Sequence, residues 1–388
     1  MAKKILFIIS NLGEGGVSKS IVNLLNLIDR KRFDISLLIC GDGANLLEPL
    51  LPDGITVIRH KRIARLFAGP SGLVPLLKEG AFAAFVGSCA RLLLSRFDKA
   101  KAGTLLARLM PAIEDEYDVI VDYNGQQQLY YMIDKLKARK KYTFFHSDYA
   151  KWPYYYKADK RYFPKADGIF TISEICAASL RAFFPDEAHK IQVIPNLSSP
   201  ELIHKLAREE APEMNVSALR LITVGHISKN KGSDLALRAA KIMKDKGMNF
   251  HWFFIGKDSG DMDYKSMIKE FGLDENITFL GLRRNPYAYT SRADIFVHPS
   301  LFEGRSIALD EAKILAKPVV VTNFSTVNDQ FTDGVNASIV EMTPEAIAEG
   351  IRTLAEDTAL QRNYIERLKS ETPDNDAQLA NIYRILDA

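Results

Sequence analysis

The same succession of local patterns occurs twice in this chain, once near its N-terminus and once just past its middle. The apolar run Lys4–Ser10 leads into the glycine-rich turn Asn11–Gly16, and apolar residues at helical spacing continue over Val17–Ile28. The run Leu219–Gly225 likewise ends in glycine, and a helical pattern follows from Ser233. A buried strand, a glycine turn and a helix form the opening unit of a doubly wound parallel sheet. The repetition predicts an α/β fold with two similar domains.

Further apolar runs predict the other strands of both sheets. They cover 34–40, 55–58, 119–122, 142–146, 168–173 and 191–194 in the first half, and 250–255, 277–280, 294–297 and 318–322 in the second. Between the halves, from around 195–200 on to 212–217, prolines and polar residues collect as in a linker. A chain of 388 residues is long enough for two domains. We therefore predict domains at 1–197 and 198–373.

Composition restricts the class of protein. The chain is 47% apolar and 26% charged, and its net charge of +3 does not by itself indicate a partner, so no nucleic-acid partner is expected. The three cysteines, Cys40, Cys89 and Cys176, lack metal-ligand spacing, which predicts reduced thiols in the cytoplasm. The first apolar run is too short for a signal peptide, and no stretch of roughly 18 apolar residues occurs. We expect a cytoplasmic protein that is soluble or peripheral to a membrane.

One stretch, 60–108, differs in charge from the rest and is called the basic segment below. It contains nine lysines and arginines against the acids Glu79 and Asp98, a balance of +7 that leaves −4 for the remainder of the chain. Apolar residues between the charges predict basic amphipathic helices. Such helices can lie on anionic lipid at the inner face of a membrane. Packing on the sheet with the cations in water explains the pattern equally well.

A loop and helix at 298–311 contain the strongest candidate for chemistry. Glu303 lies in the loop and Glu311 about two turns into the helix, and this spacing points both carboxylates toward one crevice at the carboxyl ends of the strands. The amides of Gly304, Arg305, Ser306 and Ile307 form a helix N-terminus, which suits a phosphate group. Taken singly, a loop glutamate and a helix glutamate are more often solvated surface residues.

The order of residues around these glutamates resembles the retaining glycosyltransferases of family four, which have the GT-B fold. The matching residues are Pro299-Ser300, Phe302, Glu303-Gly304, Glu311-Ala312 and Pro318-Val319-Val320. The resemblance implies two Rossmann-like domains facing a central cleft, with the acceptor bound by 1–197 and the nucleotide-sugar by 198–373. It also implies a final helix, 374–388, that packs back on the first domain. Glu303 would hold hydroxyls of the donor sugar, and Glu311 the ribose diol.

Other donor-binding residues follow from the same resemblance. The stretch 224–232 is similar to the family's phosphate segment: Gly225 and Lys231 match it, while His226 replaces the usual arginine. Arg305, where the family more often has an aromatic residue, is a candidate to supply the missing charge. The stretch 279–287 resembles the nucleobase loop, which assigns Leu282 and Arg283 to the base. Gly15 and Gly16 match the paired glycines that let a donor phosphate or acceptor approach closely. A lone lysine near a helix start, like a lone glycine pair, is by itself a weak signal.

In the first domain, His146 ends a predicted strand where the family often has a histidine close to the transferred sugar. A structural role is the commoner one for a single histidine. Asp148 is either a base for the acceptor hydroxyl or a helix cap. The aromatic stretch 149–157 suits sugar stacking, a membrane interface or simple packing. The sequence Asp261-Met-Asp263 has the form of a metal-binding pair, but we interpret it as a turn and expect neither a metal nor another cofactor.

The sequence therefore predicts a metal-independent, retaining transferase that moves a sugar from a nucleotide-sugar, with UDP the commonest carrier in the family, to a saccharide acceptor. A lipid-linked acceptor is the hypothesis that the basic segment and the aromatic stretch motivate. Alternatives are a sugar-nucleotide epimerase of similar fold and a non-catalytic nucleotide-sugar-binding protein. A dinucleotide-dependent oxidoreductase is disfavoured because Gly13, Gly15 and Gly16 do not complete the G-x-G-x-x-G pattern.

Overall fold

The computed structural model describes residues 2–13, 15–43, 45–371 and 375–387. The chain divides into two compact units, 1–197 together with 375–388, and 198–374. Each unit is an α/β layer structure built on one parallel sheet. None of the helices in the described ranges is both long and apolar enough to cross a membrane.

The sheet of the first unit has seven parallel strands in the order β3-β2-β1-β4-β5-β6-β7. The strands are β1 (Lys3–Ile9), β2 (Phe33–Ile39), β3 (Thr56–Ile58), β4 (Glu116–Asp122), β5 (Lys137–Phe145), β6 (Gly168–Thr171) and β7 (Ile191–Val193). All seven coincide with predicted runs, although β5 starts five residues before its predicted run. The first half of β5 is rich in lysine and arginine, so a search for apolar runs did not include it. The strand order reverses between β1 and β4, which places a ligand-binding edge at their carboxyl ends.

Helices cover this sheet, and several of them lie in the basic segment. They are α1 (Gly16–Leu27), α2 (Lys61–Phe67), α3 (Leu73–Lys78), α4 (Phe82–Leu94), α5 (Lys99–Leu109), α6 (Gln127–Lys135), α7 (Tyr156–Tyr162) and α8 (Glu174–Phe183). Ile63, Leu76 and Leu106 from α2, α3 and α5 are buried in the same apolar cluster as Leu6 and Ile8 of β1. The inner faces of these helices therefore do pack on the domain core, as one of the two interpretations of the basic segment requires.

The sheet of the second unit has six parallel strands in the order β10-β9-β8-β11-β12-β13. The strands are β8 (Leu219–Val224), β9 (Phe250–Ile255), β10 (Ile277–Gly281), β11 (Ile295–His298), β12 (Val319–Thr322) and β13 (Ser338–Val340). The helices are α9 (Pro200–Ala207), α10 (Ser233–Asp245), α11 (Tyr264–Glu270), α12 (Tyr287–Arg292), α13 (Ile307–Ile314), α14 (Pro344–Glu356) and α15 (Thr358–Ser370). The order reverses between β8 and β11, so the loops that follow these two strands meet at the switch point.

Two predictions in this half were wrong. The proposed linker contains α9, because Pro200 occupies the first turn, the Ser199 side chain accepts a hydrogen bond from the Leu202 amide (3.3 Å), and Ile203 and Leu206 are buried. The edge strand β13 was missed, because it is only three residues long and partly exposed.

The last helix, α16 (Asn375–Leu386), packs on the first unit. The ring of Tyr383 stacks on Phe33 with centroids 6.0 Å apart, and Arg32 pairs with Asp387 at 2.6 Å. The Asp29 amide donates to the Tyr383 hydroxyl at 3.0 Å. The predicted helix was 374–388; Asp374 and Ala388 lie outside the described residues.

Candidate active site

The candidate site of the second unit forms where the loops after β8 and β11 meet. The loop after β8 contains a short 3-10 turn, Lys229–Lys231, and the loop after β11 leads into α13. The two loops are joined by a hydrogen bond from the Leu301 amide to the Asn230 carbonyl (3.0 Å). Gly232 makes this approach possible, because a Cβ there would lie 1.8 Å from the Pro299 carbonyl oxygen and its φ is +67°.

Glu303 is the centre of this site. Its Oε1 accepts hydrogen bonds from Lys231 Nζ (2.6 Å) and Ser300 Oγ (3.0 Å), and His298 Nε2 lies 3.0 Å from the same oxygen. Burial alone would raise the pKa of Glu303, but the hydrogen bond from His298 and the charge of Lys231 outweigh burial and lower that pKa to about 2. The carboxylate is therefore ionised throughout the physiological range. Its second oxygen, Oε2, has no protein partner in the described ranges and is left for a ligand.

Lys231 is held at Glu303 by its own turn. The Ser228 side chain caps the turn through the Lys231 amide (3.3 Å), and Asp261 accepts from the Lys229 amide (2.8 Å). The sequence assigned Lys231 to the phosphate segment, and in the structure its ammonium group binds Glu303, the glutamate assigned to the donor sugar. His226, which replaces the arginine usual in the phosphate segment, is exposed.

The helix start at α13 differs from the prediction in one amide. The Ser306 amide is not free: it donates to Gln330 Oε1 (3.0 Å), while Gln330 Nε2 donates to the Ser306 carbonyl (2.8 Å). The amides of Gly304, Arg305 and Ile307 have no protein acceptor among the residues that the structure describes. Gln330, which no sequence motif indicated, therefore fixes the loop and leaves three of the four predicted amides able to bind an anion.

Arg305 has a partner that the sequence did not suggest. Its guanidinium forms a bidentate pair with Asp310, through Nε to Oδ2 (3.1 Å) and Nη2 to Oδ1 (3.0 Å). Gln330 donates to the same carboxylate at 2.8 Å. Burial raises the pKa of Asp310, and the Arg305 charge opposes that rise. The charge of Arg305 is thus already balanced within the protein, which weakens the idea that it replaces the arginine missing at His226.

Glu311 lies in the second turn of α13, nearer the helix start than predicted, and it is buried rather than placed at a crevice mouth. The Tyr287 hydroxyl donates to its Oε1 at 2.8 Å. Burial, followed by the nearby Glu311 charge, raises the pKa of Tyr287, so that hydroxyl remains a donor. Sequence reasoning did not select Tyr287, although it is the last residue of the proposed nucleobase loop.

The two residues assigned to the base are both partly buried in this loop. The Arg283 side chain turns to its own unit, where Nε donates to the Tyr289 hydroxyl (3.0 Å) and Nη2 to Glu213 (3.2 Å). The backbone after Gly281, including Leu282, is left as the part that can contact a base edge.

In the first unit, His146 follows β5 as predicted, and its ring stacks between aromatic neighbours. The centroid of Phe144 lies 4.4 Å away and that of Tyr123 4.8 Å away. Both ring nitrogens are buried and make no hydrogen bond of ordinary geometry with a described residue, although the Asn196 side chain lies near enough to act on the ring. Burial lowers the pKa of His146 to about 3, opposed only in part by Asn196, so the imidazole is neutral. A neutral imidazole can donate one hydrogen bond and accept another.

The remaining candidate residues of the first unit are either engaged in local structure or exposed without a contact that indicates a role. Gly15 precedes α1 as its N-cap, both Gly15 and Gly16 are exposed, and a Cβ at Gly15 would meet no other atom. Asp148 caps the 3-10 turn Tyr149–Lys151 through the Ala150 amide (3.0 Å). Of the aromatic residues in the stretch 149–157, Tyr149 and Tyr155 are buried, Trp152 and Tyr156 are partly buried, and Tyr154 is 40% exposed, so most of the stretch is packing.

The Asp-x-Asp sequence is a turn and a cap. Asp261 accepts from Ser259 Oγ (2.6 Å) and Tyr264 Oη (3.0 Å), and Asp263 caps α11 through the Ser266 amide (3.0 Å). No group of three or more histidine, cysteine, aspartate or glutamate side chains with metal-binding geometry occurs in the described part of the chain.

Comparisons with known protein families cover most of the chain and give the same class of protein for both halves. A family model described as Glycosyltransferase Family 4 matches residues 14–201, and one described as Glycosyl transferases group 1 matches 208–371. One relative is the N-acetylgalactosamine-N,N'-diacetylbacillosaminyl-diphospho-undecaprenol 4-alpha-N-acetylgalactosaminyltransferase of Campylobacter jejuni, 28% identical over 54% of this chain and 56% of that protein. Another is the capsular polysaccharide biosynthesis glycosyltransferase CapM of Staphylococcus aureus, 29% identical over 36% of this chain and 37% of that protein. The chain thus spans about half the length of such relatives, or less.

Solved structures resemble the whole chain. Anabaena HepE in complex with UDP and glucose superposes with a TM-score of 0.68 at 18% identity over 100% of both chains. WaaG, a glycosyltransferase involved in lipopolysaccharide biosynthesis, gives a TM-score of 0.64 at 14% identity over 98% of both chains. At this identity the likeness concerns the fold alone, and it confirms the predicted GT-B fold class.

Proposed function

Because the chain belongs to the glycosyltransferases, as the two family models that match its two halves show, we propose that it transfers a sugar from a nucleotide-sugar to a saccharide acceptor with retention at the anomeric carbon. The observation that carries the proposal is the state of Glu303. Three protein groups converge on Oε1, while Oε2 is left without a protein partner in the described residues. An ionised carboxylate with one oxygen fixed and the other open is suited to accept a hydrogen bond from a sugar hydroxyl.

The leaving diphosphate would be stabilised by groups of the chain itself. Lys231 supplies a cation, and the amides of Gly304, Arg305 and Ile307 supply donors at the start of α13. In the absence of donor, Lys231 neutralises Glu303. A bound diphosphate would give Lys231 a second anionic partner and leave Glu303 more strongly basic toward the sugar hydroxyl. Because these groups can stabilise the charge of the leaving diphosphate, we propose transfer without a metal ion.

His146 is proposed to contact the transferred sugar rather than to move a proton. Its pKa of about 3 means that it cannot act as a general acid near neutral pH. At least one of its ring nitrogens has no partner among the described residues, and sugar hydroxyls can serve as both donor and acceptor.

For the substrates, we propose a UDP-sugar and a lipid-linked saccharide in the synthesis of a cell-surface polysaccharide or glycoconjugate. The UDP bound to HepE supports the first, and the diphospho-undecaprenol substrate in the name of the Campylobacter relative supports the second. Such an acceptor would bring the chain to the cytoplasmic face of a membrane, where the positive balance of the basic segment favours anionic lipid.

The test is nucleotide release from a panel of UDP- and GDP-sugars, with and without lipid-linked acceptors. The expected result is release that requires the acceptor and falls at least about a hundredfold in Lys231→Ala. Lys229→Ala is the matched control, since Lys229 is exposed on the same turn and only its backbone is engaged there. Donor conversion that needs no acceptor would identify an epimerase instead. Tight donor binding without turnover would identify a non-catalytic binding protein.

A further inference from the structure

Helix α4 has an unusual distribution of apolar residues. Between Phe82 and Leu94 its one ionisable side chain other than a thiol is Arg91. The inner face is packed: Ala84 and Ser88 are buried, and a Cβ at Gly87 would lie 2.4 Å from the Leu109 side chain of α5. Arg91 is also turned inward, because its Nε and Nη2 are buried near Tyr155. No charge of α4 is therefore left on its outer face.

That outer face is apolar as well. Phe82 is 65% exposed, Val86 61%, Leu93 61% and Phe97, just past the helix end, 82%. These positions, with Cys89 and Ala90 between them, recur at helical spacing and form one stripe. A surface helix ordinarily presents charged or polar side chains on this side, and a helix that is apolar all round is ordinarily buried. The stripe is thus a surface that lacks the partner its composition requires.

The stripe dominates the exposed apolar surface of the described chain. Ten large apolar side chains are exposed in the described ranges, and six of them lie between residues 74 and 97. Val74 (60%) and Leu77 (43%) on α3 extend the patch beyond α4. Such concentration on one short segment is not the scattered exposure that any soluble surface shows.

Cations border the patch. The exposed ones nearest in sequence are Lys78, Arg96, Lys99 and Lys101. Lys99 Nζ lies 4.0 Å from the ring centroid of Tyr154, an exposed aromatic residue of the kind found at membrane interfaces. The two acids of the segment are engaged, Glu79 by Arg65 (3.4 Å) and Asp98 by the Lys101 amide (2.9 Å). Lys101 Nζ also pairs with Asp98 at 3.6 Å. An apolar stripe edged by exposed cations is complementary to a bilayer with anionic headgroups.

We propose that the outer face of α4, formed by Phe82, Val86, Leu93 and Phe97, inserts into the boundary between headgroups and acyl chains of an anionic membrane. Membrane binding then depends on apolar insertion, and the cations of the segment add attraction that salt screens. The inference deepens the proposed function, because it names the surface that would bring the transferase to a lipid-linked acceptor.

Cys89 provides a direct test. It is exposed in the middle of the stripe, whereas Cys40 and Cys176 are buried, so a polarity-sensitive fluorophore can be attached to the native chain at one site. On vesicles of phosphatidylcholine and phosphatidylglycerol, the emission should shift to the blue and be quenched by acyl chains that carry bromine. An unshifted spectrum on vesicles that do bind the protein would overturn insertion.

The matched variants separate insertion from other effects. Phe82→Ser with Leu93→Ser should lower the vesicle partition coefficient by about tenfold or more at high salt, because two apolar anchors are lost. Ile175→Ser, at an exposed position of the same unit (47%) away from α4, should change it less than about twofold. Equal losses in both variants would overturn the proposal. So would a chain that dimerises through the stripe, seen as a mass that halves in the double variant.

Transfer assays keep this inference apart from the proposed function. The double variant should keep full activity on a water-soluble acceptor analogue and lose it on acceptor embedded in vesicles. Vesicle insertion by a chain that transfers no sugar would disprove the function and leave the membrane surface intact.

Discussion

The polar side chains at the ligand-binding edges of the two units differ in how many of their charges and hydrogen bonds are already paired within the protein. In the second unit, Glu303 is held by Lys231, and Asp310 by Arg305, so that each cation is balanced before any ligand binds. In the first unit, His146 is uncharged and at least one of its ring nitrogens lacks a partner in the described residues. A diphosphate that binds there must therefore share cations that already have carboxylate partners. A neutral group with open hydrogen-bonding capacity suits a sugar hydroxyl.

The difference also determines how each region responds to mutation. Removing one member of a balanced pair leaves the other charge partly buried and alone, which costs stability as well as function. Removing His146 leaves no charge behind. Functional and structural effects should therefore be coupled in the second unit and separable in the first.

The largest effect is expected for Glu303→Ala. The substitution removes the acceptor shared by Lys231, His298 and Ser300 and the oxygen offered to the sugar, so kcat should fall by about 10²–10³. Steady-state nucleotide release measures it. Glu341→Ala, an exposed glutamate of the same unit, is the control and should retain full activity. A loss of less than about threefold in Glu303→Ala would remove Glu303 from the proposed mechanism.

Arg305→Ala tests whether that arginine serves the fold or the diphosphate. Because Asp310 has a side chain only 15% exposed, loss of its counter-ion should lower the free energy of unfolding by about 3 kcal/mol. The double variant Arg305→Ala with Asp310→Ala should recover part of that loss, since no carboxylate is then left unpaired. Urea denaturation of the three proteins gives the comparison. Unchanged stability with a large rise in donor KM would instead restore the phosphate-binding role predicted from the sequence.

The third prediction concerns acid stability and the first unit. A histidine whose pKa falls from 6.5 to about 3 on folding is protonated more readily in the unfolded chain. The stability it contributes is fully present above pH 6.5 and decreases as the pH falls toward 3, by up to about 1.4 kcal/mol per pH unit. The melting temperature of His146→Gln should therefore fall less steeply with decreasing pH than that of the unaltered chain. Asp122 acts in the opposite sense, since burial raises its pKa to about 7 and its ionisation costs stability as the pH rises from 3.8.

Melting temperatures between pH 4 and 7.5 for both proteins provide the measurement. A parallel pair of curves would show that His146 titrates normally and is not the neutral group described for the first unit. Asp122 is present in both proteins, so its contribution cancels in the comparison.

The sequence predicted most of the fold because its strands are short apolar runs bounded by glycine or polar residues. It also selected Glu303 and Lys231, which belong to local motifs. Gln330, Tyr287 and Asp310 could not be found this way, because each acquires its role through contacts with side chains or backbone that only packing brings close. The apolar outer face of α4 was likewise hidden, since a basic, apolar-rich segment does not reveal which side of its helices faces outward. The roles assigned to the individual site residues stay predictions.

The smallest effect is expected at His226. It is exposed, and no hydrogen bond or ion pair engages its side chain in the described ranges, so His226→Ala should change donor KM by no more than about threefold and leave stability unaltered. His226→Arg is the informative companion, because an arginine there would add a cation that no carboxylate of the described site already balances. If that substitution tightens donor binding, the charge supplied by Lys231 and the helix amides is less than the site can use, and the internally balanced pairs limit affinity. If it has no effect, Lys231 and the amides of α13 already suffice, and the residue at 226 lies outside the diphosphate site.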